Sequence, residues 1–292
     1  MAATVTSPPP SFWRTLLILG RVSNLPTVWS NCAAGWLLGG GGEPKTLLLL
    51  CLGATFYYVG GMFLNDACDA QFDTQHRSER PIPSGAISVR AVFGWGFGWM
   101  ILGQGIFFCL GQKTAVLGLI LGLCILLYDA IHKLTVFSPV LMAFCRLFLF
   151  LAAAASGSYG INGLAVWSAV VLACYIVGLS YIAKQESSQG LLRFWPSLFM
   201  ATPVVLAVIV NANGYKLAAW WFSALLIGWV LWCLQFTFWS AQRSIGRTVS
   251  GLLAGIVLVD LLALAGGSPQ LTVIFLLLFG AALAFQKFVP AT

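Results

Sequence analysis

Charge is what this 292-residue chain has least of: charged residues make up 8% of it, where a soluble domain carries roughly 25%. It holds eight acidic residues and two histidines in all. With 60% hydrophobic residues, that scarcity excludes an ordinary soluble enzyme. The net charge of +7 is spread over short loops with no basic cluster on a solvated stretch, which excludes a nucleic-acid surface. The eight cysteines show no CxxC pairing and lie mostly inside apolar runs, so they read as small buried residues, not disulfides or zinc ligands. No composition shift or linker marks a domain boundary. A disordered tail over residues 1–10 followed by a single transmembrane domain over 11–292 is therefore expected. A cleavable signal peptide is not expected, because Arg14 and Arg21 interrupt a first apolar region that runs on too long.

What is abundant is apolar sequence. Runs of about 20 residues, long enough to cross a bilayer, recur at 11–40, 46–65, 87–110, 114–131, 137–158, 162–184, 195–212, 216–240, 247–266 and 270–289. The expected fold is an all-α polytopic transmembrane bundle of nine to ten spans. The eighth to tenth runs are the weakest and include any re-entrant or interfacial segment. With the N-terminus in the cytoplasm, twelve of the fifteen cations fall on the cytoplasmic side, against Lys45, Lys113 and Lys216 opposite. This topology gathers the loops after the second, fourth and sixth spans at one cytoplasmic mouth. The tryptophans suit interfacial belts or packing.

Three of the eight acids lie in Asn65-Asp66-x-x-Asp69-x-x-x-Asp73, just past the second run. At spacings of three and four the carboxylates share a helix face, where they repel one another unless a cation sits between them. Magnesium suits that role, since it takes oxygen ligands and is usually held by one or two carboxylates plus substrate phosphates. A solvated acidic helix start is the plainer alternative, but this run closes an apolar span. Arg77 and Arg80 follow, suited to salt bridges with the aspartates or to contact with diphosphate oxygens. Pro81-Ile-Pro83-Ser-Gly85 then turns the chain into the next span.

These twenty residues resemble the first aspartate-rich motif of the UbiA superfamily of intramembrane prenyltransferases, and chain length and loop order extend the likeness over roughly 11–265. The resemblance implies an all-α bundle, typically of nine spans. It also implies that Mg2+ on Asn65, Asp66, Asp69 and Asp73 binds an isoprenoid diphosphate, whose prenyl group passes to a small-molecule acceptor. Tyr128-Asp-Ala-Ile-His132-Lys133 resembles the family's Tyr-Pro-x-x-Lys-Arg loop, and Arg21 and Asn24 resemble the polar pair facing its cavity. Arg77, Arg80, His132, Lys133, Lys184 and Arg193 are then expected to neutralise the diphosphate. Tyr128, Tyr181 and Glu186 are expected to orient the acceptor or take its proton.

The second motif departs from the family pattern. Aligned on Tyr181, the chain has Gln185, Glu186, Gln189 and Arg193 where the family has a lysine and three aspartates. One carboxylate of three remains, so a second metal is expected to be lost or weak, with Lys184 and Arg193 supplying charge instead. The alternative reading is a degenerate relative that binds or moves an isoprenoid intermediate without turning it over. Asp260 is an intramembrane acid outside any motif, weighed as pairing with Arg243 or Arg247 or facing the cavity. His76, beside the acidic helix, reads as a solvated loop residue or an outer-shell one.

Overall fold

The computed structural model describes residues 12–185, 193–211 and 217–289. All of the regular structure in them is helical. The first apolar run is not one span but two pieces. Helix α1 (Phe12–Leu19) stops at Arg21, whose φ of 41° and ψ of 47° are left-handed, and a 3-10 turn (Val22–Asn24) leads into α2 (Leu25–Leu38). Pro26 opens α2 where a missing N–H costs nothing. Then come α3 (Pro44–Cys68), α4 (Ala70–His76), α5 (Val89–Cys109), α6 (Gln112–Ile131), α7 (Ser138–Ala155) and α8 (Gly163–Lys184). Two short helices, α9 (Trp195–Leu198) and α10 (Thr202–Val210), are joined by a 3-10 turn. The chain closes with α11 (Leu217–Phe238), α12 (Ile245–Ala263) and α13 (Pro269–Phe285).

Seven of these, α3, α5, α6, α7, α8, α11 and α12, are long and apolar enough to cross a bilayer. The eighth and ninth runs, expected to be weak, are full-length helices. The short ones are the first run, broken at Arg21, the seventh, interrupted between α9 and α10, and the tenth, α13. The outer surface is apolar: Ile101, Trp167 and Leu277 are 61–70% exposed. An apolar exterior over long apolar helices defines an integral membrane protein.

Two packed clusters build the interior. One joins Leu50, Tyr57, Met100, Phe107 and Leu121 of α3, α5 and α6. The other joins Leu172, Tyr175, Leu226, Leu252 and Ile256 of α8, α11 and α12. Helices α2 and α7 supply residues to both, Cys32 and Leu149 to the first, Ala34 and Phe150 to the second. Close approach of α3 and α5 depends on small residues: a Cβ on Gly60 would stand 2.8 Å from the Gly96 carbonyl oxygen.

Candidate active site

A cavity of about 790 Å³ opens where the two clusters meet. Its apolar walls come from α3 and α6 (Ala54, Tyr57, Leu121, Ile125) and from α8 and α12 (Ile176, Leu179, Val249, Ile256). Of the residues singled out in the sequence, Arg21, Asn24, Asn65, Asp69, Asp73, Arg77, Arg80, Tyr128, His132, Lys133 and Lys184 line it.

The helical register carries through the junction of α3 and α4, since the Asp69 N–H donates to Asn65 and the Asp73 N–H to Asp69, each at 2.9 Å. The carboxylates nevertheless do not converge. Among the described residues no three acidic, histidine or cysteine side chains come close enough to hold one metal ion. Each carboxylate contacts at least one cation, Asp66 and Asp73 sharing Arg80, which relieves the repulsion that the spacing creates. Asp66 does not line the cavity; it is buried behind the wall, accepting from Arg21 Nη2 at 3.1 Å and from Arg80 Nη1 at 3.4 Å. Asp73 accepts from the same Arg80 nitrogen at 2.8 Å. Asp69 Oδ1 pairs with Lys133 Nζ at 2.6 Å and His132 Nε2 at 3.3 Å.

Burial pushes the Asp69 carboxyl up, but His132 and Lys133 outweigh it and hold the group below its ordinary range. Burial pushes His132 down, and Asp69 outweighs that in turn, so its imidazolium is favoured. His132 Nδ1–H meets the Tyr128 carbonyl at 3.2 Å, and its ring stacks on Tyr128 at 5.1 Å. Lys133 also sits 4.0 Å over the Phe72 ring. Arg77 is exposed at the mouth and has no acidic partner among the described residues. Lys184 reaches across from α8 to the Thr135 carbonyl at 2.8 Å and Ser138 Oγ at 3.2 Å. Asn24 donates to Tyr58 Oη at 3.2 Å.

Two predicted residues stand away from this cavity. Tyr181 donates to the Val136 carbonyl at 3.2 Å and packs on Trp195. Arg193 is exposed and tied through its backbone to the Gln185 side chain. Glu186 and Gln189 lie outside the described residues, as does the tail over 1–10. His76 is exposed and stacks on Phe72.

The sequence reading gave no role to Asp129 or Arg146, both of which line the cavity. Asp129 is 5% exposed; its Oδ1 accepts from Asn65 at 3.0 Å, while Oδ2 has no partner among the described residues. Arg146 lies inside the apolar run 137–158, where a charge is itself a functional signal. Asp260 pairs with neither Arg243 nor Arg247. It accepts from Ser30 Oγ at 2.6 Å and Asn31 Nδ2 at 2.7 Å.

The donor set suits magnesium. The oxygens of Asp66 and Asp73 already share one positively charged nitrogen, so a cation fits between them, and Asp69 and Asp73 present further carboxylate oxygen to the cavity.

Residues 24–242 match the UbiA prenyltransferase family, and the chain belongs to that family. Among curated relatives it is 28% identical over 171 residues to digeranylgeranylglyceryl phosphate synthase of Methanoregula boonei, covering 58% of each chain. It is 30% identical over 118 residues to the protein of that name from Methanothrix thermoacetophila, covering 40% of this chain and 44% of the relative. The chain thus spans about half the length of the curated relatives it matches. Among solved structures, a UbiA homologue from Aeropyrum pernix K1 superposes with a TM-score of 0.67 at 18% identity, over 85% of this chain and 98% of that one. A UbiA homologue from Archaeoglobus fulgidus bound to GPP and Mg2+ gives 0.64 at 16% identity, over 94% and 99%. These likenesses establish the fold.

Proposed function

We propose that the chain transfers a prenyl group from an isoprenoid diphosphate to a small acceptor, at a mouth that faces the cytoplasm. The observation that carries the reading is the cavity itself: its mouth is ringed by alternating carboxylates and cations, and its walls below are largely apolar, with Leu121, Ile125, Ile176 and Leu179. A diphosphate with a hydrocarbon tail has that same polarity. Family membership supports the reading, as do a relative named for synthesis of a digeranylgeranylglyceryl phosphate and a homologue solved with GPP and Mg2+. The excess of cations on the mouth side supports its orientation.

Asp69 and Asp73, with Asp66 and Asn65 Oδ1, would hold the magnesium ion, which when bound supplies Lewis-acid neutralisation of the diphosphate. Arg77, Arg80, Lys133, His132 and Lys184 meet the diphosphate oxygens and make the group easier to expel. The bond between the prenyl C1 and the diphosphate oxygen breaks, and the electron pair leaves with the diphosphate. The allylic cation is shielded from water and faced by Tyr57, Tyr58 and Phe72. A nucleophilic carbon or oxygen of the acceptor bonds to C1 and gives up one proton, which the Glu186 carboxylate takes, with Tyr128 orienting the acceptor. Asp66 also holds Arg21 and Arg80 in place through Oδ1. Tyr181 and Arg193 take no part in this reading, and Glu186 keeps its expected role.

The test is diphosphate release from labelled prenyl diphosphates of several lengths by purified protein, with and without Mg2+. Mg2+-dependent release that disappears in Asp69→Ala establishes the ionisation step. Donor binding without release, even with a broad extract of acceptors, rejects it in favour of a carrier that binds isoprenoids.

A further inference from the structure

Below the mouth the central cavity has a second polar pole, and beyond that pole lies a separate pocket. Arg146 of α7 lines the cavity; its Nη1 donates to the Thr27 carbonyl at 3.1 Å and Asn31 Oδ1 at 2.7 Å, and Nη2 donates to Thr27 Oγ1 at 3.0 Å. Asn31 Nδ2 in turn donates to Asp260 Oδ2 of α12 at 2.7 Å, and Ser30 Oγ donates to the same oxygen at 2.6 Å. Asp260 does not line the central cavity. It lines a second pocket of about 280 Å³, which shares no wall residue with the first. Both are reached along α8, where Ser168 lines the pocket and Lys184 the mouth. At 1.5 Å per residue that separation is ~24 Å, which puts the pocket toward the opposite membrane face.

The pocket is suited to positive charge. Asp260 Oδ1 and Ser168 Oγ have no hydrogen-bond partner among the described residues, and the two residues are 1% and 2% exposed. Buried oxygens left without a partner are costly, so a group that donates to them binds with a gain. Asp260 is the only charged residue on the described wall, and no cation there stands within ion-pair distance of its carboxylate. The backbone adds to this. Helices α2, α10 and α12 all end at the pocket, with Leu38, Val210 and Ala263 on its wall, so three partially negative helix ends converge there. Helix α8 begins beside them, but Asn162 caps its first turn by accepting the Ala165 N–H at 3.0 Å.

Most of the remaining wall is apolar, with Phe150, Val171 and Leu206. Leu164 and Val210 are 38% and 52% exposed on the apolar exterior, so the pocket reaches the lipid-facing surface. A bare metal ion leaves most of this volume empty. A quaternary ammonium has no N–H to give Oδ1, and an anionic group is repelled by Asp260. We propose that the pocket binds a primary ammonium group, carried by a lipid headgroup or by a free amino alcohol. One N–H meets Asp260 Oδ1 and another meets Ser168 Oγ. Ser30 and Asn31 hold the carboxylate in position through Oδ2. Such a site is independent of the transfer reaction.

The test is thermal stability of the full chain in detergent, titrated with dioleoylphosphatidylethanolamine, with dioleoylphosphatidylcholine, or with ethanolamine and no added lipid. Phosphatidylethanolamine or ethanolamine should raise the melting temperature saturably, and phosphatidylcholine, the N-trimethyl counterpart, should not. A response to ethanolamine without one to the lipid assigns a free amine; a response to the lipid alone assigns its headgroup. Asp260→Asn keeps the shape and removes the charge, and should weaken the amine response at least tenfold. Ser168→Ala should weaken it severalfold, and it carries the test if Asp260→Asn does not fold. Equal response to both phospholipids with none to ethanolamine overturns the site. So does the absence of any amine response, or one unchanged in the variants that fold.

Discussion

The two polar poles of this cavity neutralise charge in opposite ways. At the mouth, Asp66, Asp69 and Asp73 touch their cations directly, and most of those groups also face open cavity. In the depth, Arg146 and Asp260 are kept apart by the Asn31 amide and enclosed by α2, α7 and α12. Contact pairs at a wet mouth are exchangeable: an incoming diphosphate and metal can take over both the cations and the carboxylates. A spaced pair in a low-dielectric interior is not exchangeable, because removing either charge strands the other. One pole is suited to turnover of ligands and the other to fixed orientation.

The largest test of this contrast is chemical. Asp69→Ala should lower diphosphate release by about 100-fold or more, the scale of losing a charge-stabilising group at a reacting centre. Release unchanged within threefold would remove the mouth from the chemistry. Chelation with EDTA should abolish release and added Mg2+ restore it, while the melting temperature stays put, because the resting mouth is already neutralised by arginine, lysine and histidine.

Stability should rank the poles the other way. Asp260→Asn removes the acid one amide away from a buried guanidinium and should cost roughly 1–3 kcal/mol. Lys133→Gln breaks a half-exposed pair and should cost about 1 kcal/mol or less. Denaturation of the two variants in the same detergent reads the ranking, and equal losses would erase the distinction between the poles. The smallest effect should come from salt. Raising it from 0.05 to 0.5 M should weaken donor binding severalfold by screening the mouth. The stability gap between Asp260→Asn and wild type should stay unchanged.

How much of this was written in the sequence follows from the range of each interaction. The mouth was legible because its residues are close in the chain: spacing places Asp66, Asp69 and Asp73 on one face, and topology brings Tyr128–Lys133 above them. What spacing could not say is that Asp66 turns inward to hold Arg21 and Arg80 while Asp69 meets a different pair of cations. At the break the left-handed residue is Arg21 and not the neighbouring Gly20, so residue type does not announce it. Tyr181 has the spacing of the family motif, but its hydroxyl is spent on Val136 and its ring on Trp195. The deep pole was hidden because its members lie far apart in the chain, in α2, α7 and α12, and Ser30 and Asn31 look like incidental polar residues in an apolar run. Asp260 stood out as an intramembrane acid, but its partner could be found only in three dimensions.

The central claim is that Asp69, at the junction of α3 and α4, and Asp73 of α4 release their resident cations to a single metal ion and a diphosphate. The most direct measurement is a structure of the protein with GPP and Mn2+, the metal located by its anomalous signal. The account predicts one strong peak against Asp69 and Asp73, with the diphosphate within reach of Arg77 and Lys133. Two peaks of comparable height, or a metal bound away from these aspartates, would contradict it.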